Sequence, residues 1–229
     1  MSFGITISND NNFVQIDSDT PRLCAIHNGN YSAGSNVSVV TFPSPITTPE
    51  PPCIFIRNDP SRNDDLYDAL TISGGPGNWT GFQIRANNVN MRPTGKWFAA
   101  VFASVAQSSY GLRIWDGGGG IVYDSGAAPV VVTKSNSSWT FMGVVQFPTL
   151  GSAYYYANAL VAPLATDEYF MINPFARGAV NVTGAYHRRG VRFNYSTNRL
   201  EMYIVAFPQN PPQNDQGNPA ALYARLPGS

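Results

Sequence analysis

The sequence predicts an all-β protein made of two tandem, duplicated antiparallel β-sandwich domains. Three observations carry that expectation. Short alternating or apolar segments bounded by Gly, Pro, Asn and Asp recur about every ten residues, and no stretch keeps the spacing of a long amphipathic helix. Residues 2–18 align without a gap on residues 109–125. The chain of 229 residues is 43% hydrophobic and 13% aromatic, enough for two cores of the roughly 100-residue sandwich size.

Taken in order, the first set of strands is expected at 4–7, 13–17, 22–26, 37–42, 53–57, 81–85 and 97–103, and the second at 111–115, 121–123, 130–132, 139–146, 169–172, 190–194 and 200–207. In the aligned segments Ser2, Gly4, Ile7, Asp17 and Ser18 recur as Ser109, Gly111, Ile114, Asp124 and Ser125, with the apolar pattern kept between them. Each segment reads as a hairpin around a polar or glycine-rich turn, 8–12 or 116–120. Gly117 to Gly120 lacks the lysine and following helix of a phosphate-binding loop and reads as a turn. Weaker echoes link 53–56 to 169–172, 80–85 to 189–194 and 97–102 to 202–207. A tandem duplication accounts for them.

The expected boundary gives an N-terminal sandwich over 1–107 and a C-terminal sandwich with an extended tail over 108–229. The joint, Ala106-Gln107-Ser108-Ser109, is too short for independent motion, so the copies should pack together. Three stretches fit poorly: the proline-rich run 43–52, the loop 58–79, and the tail 208–229, expected to lie over a neighbour or fray.

Composition narrows the function. Fourteen basic residues balance fourteen acidic ones, and charged residues are 12% of the chain, about half the usual share. The only lysines are Lys96 and Lys134, and the densest basic cluster, His187-Arg188-Arg189 with Arg192, reads as a solvated strand edge, so nucleic-acid binding is not expected. The longest apolar run, 97–103, falls far short of a membrane span. The N-terminus carries no signal-peptide pattern, so synthesis in a cytoplasm is expected. Cys24 and Cys53, each in an apolar setting, are then expected as buried free thiols.

The inventory for catalysis is thin: two histidines, three glutamates and no serine in a nucleophile-elbow setting. Asp17-Ser18 and Asp124-Ser125 read as strand caps that hydrogen-bond their own backbone. Asp59, Asp64, Asp65 and Asp68 match no known calcium loop and read as solvated. Asp167, Glu168 and Glu201 are the only combination that could supply a glycosidase's paired carboxylates. Trp79 and the run Tyr154-Tyr155-Tyr156 are candidate receptor or partner contacts, with core or subunit interface the favoured reading. The six Asn-x-Ser/Thr triplets reflect composition rather than glycosylation. No enzyme activity, cofactor or metal is expected.

The segment Ser109-Tyr110-Gly111-Leu112-Arg113-Ile114-Trp115-Asp116, running into Ile121-Val122-Tyr123-Asp124-Ser125, resembles the hairpin opening of small tail-tip and tail-fibre-associated virion proteins of tailed bacteriophages. The Ser2-Phe3-Gly4-Ile5 version is similar. The resemblance implies a non-enzymatic virion structural protein, made in the host cytoplasm and incorporated into the tail. Its expected partners are other tail proteins and further copies of itself, a trimer being favoured. The alternative is a receptor-binding protein that recognises a host surface glycan or pilus through 58–79 and 154–156.

Overall fold

The computed structural model describes residues 6–8, 14–17, 22–62, 66–103, 109, 111–147, 151–176, 179–182, 185–207 and 218–226. The strands up to the middle of the chain are β1 (Thr6–Ser8), β2 (Val14–Asp17), β3 (Leu23–Tyr31), β4 (Val37–Ile46), β5 (Cys53–Asn58), β6 (Tyr67–Gly75), β7 (Asn78–Ala86) and β8 (Gly95–Phe102). They are followed by β9 (Arg113–Trp115), β10 (Ile121–Asp124), β11 (Ala128–Pro129), β12 (Val131–Asn136), β13 (Trp139–Phe147), β14 (Gly151–Asn158) and β15 (Glu168–Met171). The last are β16 (Ala179–Val182), β17 (Ala185–Asn194), β18 (Arg199–Phe207) and β19 (Ala221–Arg225). A 3-10 turn, Pro60–Arg62, follows β5.

The strands form two large antiparallel sheets and two separate hairpins. One sheet runs β11-β3-β8-β5-β15-β19-β12, and the other runs β13-β14-β18-β17-β6-β7-β4 with β16 added beside β17. Only Val130 separates β11 from β12, and its N–H donates to the Leu23 carbonyl at 2.8 Å. One extended segment therefore pairs with β3 at its start and β19 along the rest, so the seven-stranded sheet curls until its ends meet.

The curl explains the continuous apolar runs. In β5, Ile54 and Ile56 face the core between the sheets, while Cys53 and Phe55 face the inside of the curl. In β8, Trp97, Ala99 and Val101 take the first face, and Phe98 and Ala100 the second. Strands buried on both faces read as unbroken hydrophobic sequence. Inside the curl Phe55 stacks on Phe98 with centroids 4.5 Å apart, and Tyr169 meets Phe98 edge-on at 5.0 Å. Cys24 is buried, Cys53 is half-buried, and no disulfide joins them; burial pushes the Cys53 thiol up.

The two repeated segments both fold as hairpins, with matching register. Thr6, Ile7 and Ser8 pair with Asp17, Ile16 and Val14; Arg113, Ile114 and Trp115 pair with Asp124, Tyr123 and Ile121. The second is closed as expected for a turn, with Asp116 Oδ1 accepting from the amides of Gly118 and Gly120, both at 2.8 Å. Asp124 Oδ1 accepts from the Gly126 amide at 2.8 Å and Ser125 Oγ from the Leu112 amide at 3.1 Å, which is the strand-capping role.

The boundary at 107/108 needs correction. It divides two sets of strands, but not two self-contained sandwiches: β5 pairs with β15, β6 with β17 and β3 with β11, so both sheets run from one half into the other. Within each sheet the halves stand in mirrored order about these joints, β3-β8-β5 against β15-β19-β12 and β4-β7-β6 against β17-β18-β14. That order matches the echo of 53–56 in 169–172. It does not match the other two echoes, which equate β7 with β17 and β8 with β18, strands at unlike positions.

Three further expectations change. Most of the expected loop 58–79 is β6 and the start of β7, residues 63–65 lying outside the described ones. The expected tail contributes β19, inserted between β15 and β12; residues 208–217 lie outside the described ones. The basic cluster is no solvated edge: Arg188, Arg189 and Arg192 lie on β17, inside the eight-stranded sheet, with Arg189 buried.

Candidate functional site

The outer face of the eight-stranded sheet holds the densest polar constellation. Along β18, Leu200, Met202 and Ile204 point into the core between the sheets, so Glu201, Tyr203 and Val205 take the opposite face. Antiparallel register sets Arg192 of β17 and Ala157 of β14 beside Glu201, and Tyr155 beside Tyr203. Glu201 Oε1 accepts from Tyr155 Oη at 2.6 Å, Asn194 Nδ2 at 2.8 Å and Thr197 Oγ1 at 3.2 Å. Oε2 accepts from Arg192 Nε at 2.9 Å and Tyr203 Oη at 3.4 Å. The Tyr155 and Tyr203 rings stack at 4.9 Å, and the Arg192 guanidinium lies over Tyr203 at 5.4 Å. Burial, then the hydrogen bond to Glu201, pushes the Tyr155 phenol well above its ordinary value. Burial pushes Tyr203 up to about 12, against the Arg192 guanidinium. Every oxygen of the carboxylate is engaged, so the cluster locks three strands together.

The other carboxylates are held separately. Glu168, on β15 in the seven-stranded sheet, accepts from Lys134 Nζ at 2.7 Å, from Thr133 Oγ1, and from the Ala165 amide at 3.2 Å. Burial pushes its carboxyl up, but these three hydrogen bonds outweigh it and hold the group below its ordinary value. Asp167 pairs with Arg225 at 3.4 Å. Glu168 and Glu201 thus sit in different sheets, each with its own cation, and form no acid pair across a groove.

The acidic residues near 59–68 also part. Asp59 Oδ1 caps the 3-10 turn, accepting from the Ser61 amide at 2.8 Å and Oγ at 2.7 Å, whereas Asp68 lies on β6 with Arg85 at 2.9 Å and Arg188 at 3.7 Å. Asp64 and Asp65 lie outside the described residues. Among the described residues no three His, Cys, Asp or Glu side chains gather to hold a metal.

The aromatic candidates divide by face. Trp79, on β7, packs against the main core and donates Nε1–H to the Thr48 carbonyl at 2.9 Å. Tyr155 belongs to the Glu201 cluster, and Tyr156 packs against the main core. Tyr154 and Tyr156 both meet Phe141, at 5.9 and 5.4 Å between centroids.

Phe141 belongs to a feature not foreseen in the sequence. β13 ends the eight-stranded sheet, and Phe141, Met142, Val144 and Val145 are 52%, 50%, 51% and 36% exposed. Register puts Val144 beside Tyr154 and Val145 beside Ala153, so apolar groups occupy both faces of the edge. A bulge between Phe141 and Gly143 turns Met142 outward, and Gly143 adopts φ 130°, a conformation open to glycine. The unbroken Phe-Met-Gly-Val-Val run was the available signal.

No family model matches this chain, and neither a curated protein nor a solved structure is similar to it.

Proposed function

We propose that the chain is a non-enzymatic bacteriophage virion structural protein of the tail tip or tail-fibre apparatus, which assembles with copies of itself through sheet faces and edges. The observation that carries the reading is the β13 edge, where four exposed apolar side chains border strand backbone that has no second strand partner among the described residues. Such an edge templates strand pairing or apolar contact unless something covers it. The matching hairpins and the mirrored strand order support duplication, which gives each chain two quasi-equivalent units. Three such chains present six, the arrangement favoured here.

Direct recognition of a host glycan or pilus is the second reading. Of its expected contacts, Tyr154 is half-buried beside exposed Phe141, at the same edge.

Light scattering after size exclusion tests the first reading. The natural chain should run as a closed oligomer of three subunits, and Val144→Lys should release monomers with an unchanged far-ultraviolet circular dichroism spectrum. A natural chain that stays monomeric at every concentration would refute self-assembly. Absence from purified virions would end the tail assignment.

A further inference from the structure

We propose that Asp116 is a site of self-modification, where the turn between β9 and β10 isomerises its own backbone from an α-linked to a β-linked aspartate (isoaspartate). The turn residues, Asp116 to Gly120, are all exposed to water. Asp116 is the only aspartate in the chain that is followed by glycine. Glycine, having no Cβ, is the residue whose amide nitrogen is least obstructed when it attacks the preceding side chain.

The turn is folded for that attack. A carboxyl oxygen bonded to the amide two residues on closes a ring that mimics a backbone turn, and Asp116 Oδ1 makes this bond with the Gly118 amide at 2.8 Å. The ring folds Cγ back over the Asp116–Gly117 peptide and brings the carboxyl carbon to the Gly117 nitrogen. The main chain holds the same arrangement, with Asp116 N–H donating to the Gly120 carbonyl at 2.8 Å and Gly119 N–H to the Asp116 carbonyl at 3.2 Å. The carboxyl lies so close to the glycines that a Cβ at Gly120 would sit 2.8 Å from Oδ2, and one at Gly118 3.3 Å from Oδ1.

The geometry also meets the charge that the reaction develops. As the Gly117 nitrogen adds to Cγ, negative charge builds on Oδ1. Gly118 and Gly120 both aim an N–H at that oxygen, each at 2.8 Å, as the donors of an oxyanion hole do. The nitrogen–Cγ bond forms, and Oδ2 leaves as water with the carboxyl proton and the amide proton, which yields a cyclic succinimide. Water then adds to the main-chain carbonyl carbon of Asp116, and the bond from that carbon to nitrogen breaks. One water leaves and one enters, so the mass is unchanged. The chain now runs through Cβ and Cγ, and the former main-chain carboxyl becomes the side chain.

Asn28-Gly29 is the internal comparison, being the only Asn-Gly pair in the chain and able to reach the same succinimide by losing ammonia. It lies within β3, with Asn28 opposite Phe98 and Gly29 opposite Trp97. Extended backbone stands the side chain off the sheet, away from the following nitrogen, so the ring cannot close without breaking the pairing.

Peptide mapping of the full chain after prolonged incubation at neutral pH, folded or unfolded in urea, tests the site. The isoaspartyl peptide separates from its parent at identical mass, whereas reaction at Asn28 changes the mass. Asp116 should isomerise roughly tenfold or more faster in the folded chain than in urea, and Asn28 should show the reverse order. Gly117→Val should suppress the reaction at Asp116. A Cβ at Gly117 would meet nothing within 4 Å, so this variant should keep the natural circular dichroism spectrum. The proposal is overturned by no isoaspartate at 116 in the folded chain, by a folded rate no higher than the rate in urea, by Asp116 and Asn28 responding to folding in the same direction, or by an unchanged rate in Gly117→Val.

Discussion

Glu201→Gln tests whether the outer-face cluster locks its strands. The substitution keeps an oxygen for Tyr155, Asn194 and Thr197 but turns Oε2 into an N–H that faces the donor Arg192 Nε, formerly at 2.9 Å. One charge-assisted hydrogen bond, worth about 1.5–3 kcal/mol, is lost, and Arg192 loses its countercharge. The side chains of Glu201 and Arg192 are 1% and 16% exposed, so water relieves only part of the penalty. The expected cost is about 3 kcal/mol, the lower end of the range for breaking a buried pair. In urea, followed by tryptophan fluorescence at fixed protein concentration, an m-value of about 3 kcal/mol/M turns this into a midpoint lowered by about 1 M. Arg192→Met should cost a similar amount, and the double variant clearly less than the sum, because the two groups act on each other. A single-variant cost below about 1 kcal/mol, or additivity within about 0.5 kcal/mol, would refute the reasoning.

Two other outcomes follow from the structure. The Glu168 carboxyl sits below its unfolded value, so its stabilising contribution is complete above about pH 4.3 and is lost as the pH falls through the lower folded value. Lys134→Ala removes a hydrogen bond that holds it there, and acid unfolding followed by circular dichroism should begin at higher pH; an unmoved acid midpoint would contradict the assignment. A fragment of residues 1–107 would bare β5, whose Ile54, Phe55 and Ile56 are fully buried, along the seam with β15. It should lack cooperative thermal unfolding, and a sharp calorimetric transition for the fragment alone would show that the halves are separable.

The parts of this fold that local pattern determines were legible. The repeated hairpins could be read because apolar spacing, a turn and an Asp-Ser cap lie within 17 residues of each other, and their pairing is local. β6 is hidden in the sequence, because Tyr-Asp-Ala-Leu-Thr-Ile follows an aspartate-rich stretch and Asp68 resembles a loop residue; its charge is met by Arg85 and Arg188, which come from other strands. β19 was hidden for a similar reason, being five residues within a Pro- and Asn-rich tail. The curl and the seam depend on partners about a hundred residues apart, which no local period encodes. At the candidate sites, Trp79 and Tyr155 read as possible contacts because a sequence shows an aromatic ring but not the carbonyl or carboxylate it meets.

The seam also sets a timetable for synthesis. β5 leaves the ribosome complete at residue 58, while β15, its partner across the seam, begins at residue 168, 110 residues later. At roughly 5–20 residues per second that interval lasts about 5–20 s. Throughout it the first half of the chain carries a two-faced apolar strand with one side unpaired, longer than loop closure or hairpin formation takes. Nascent chains crowded on one message therefore face a choice between waiting for their own second half and pairing with a neighbour's.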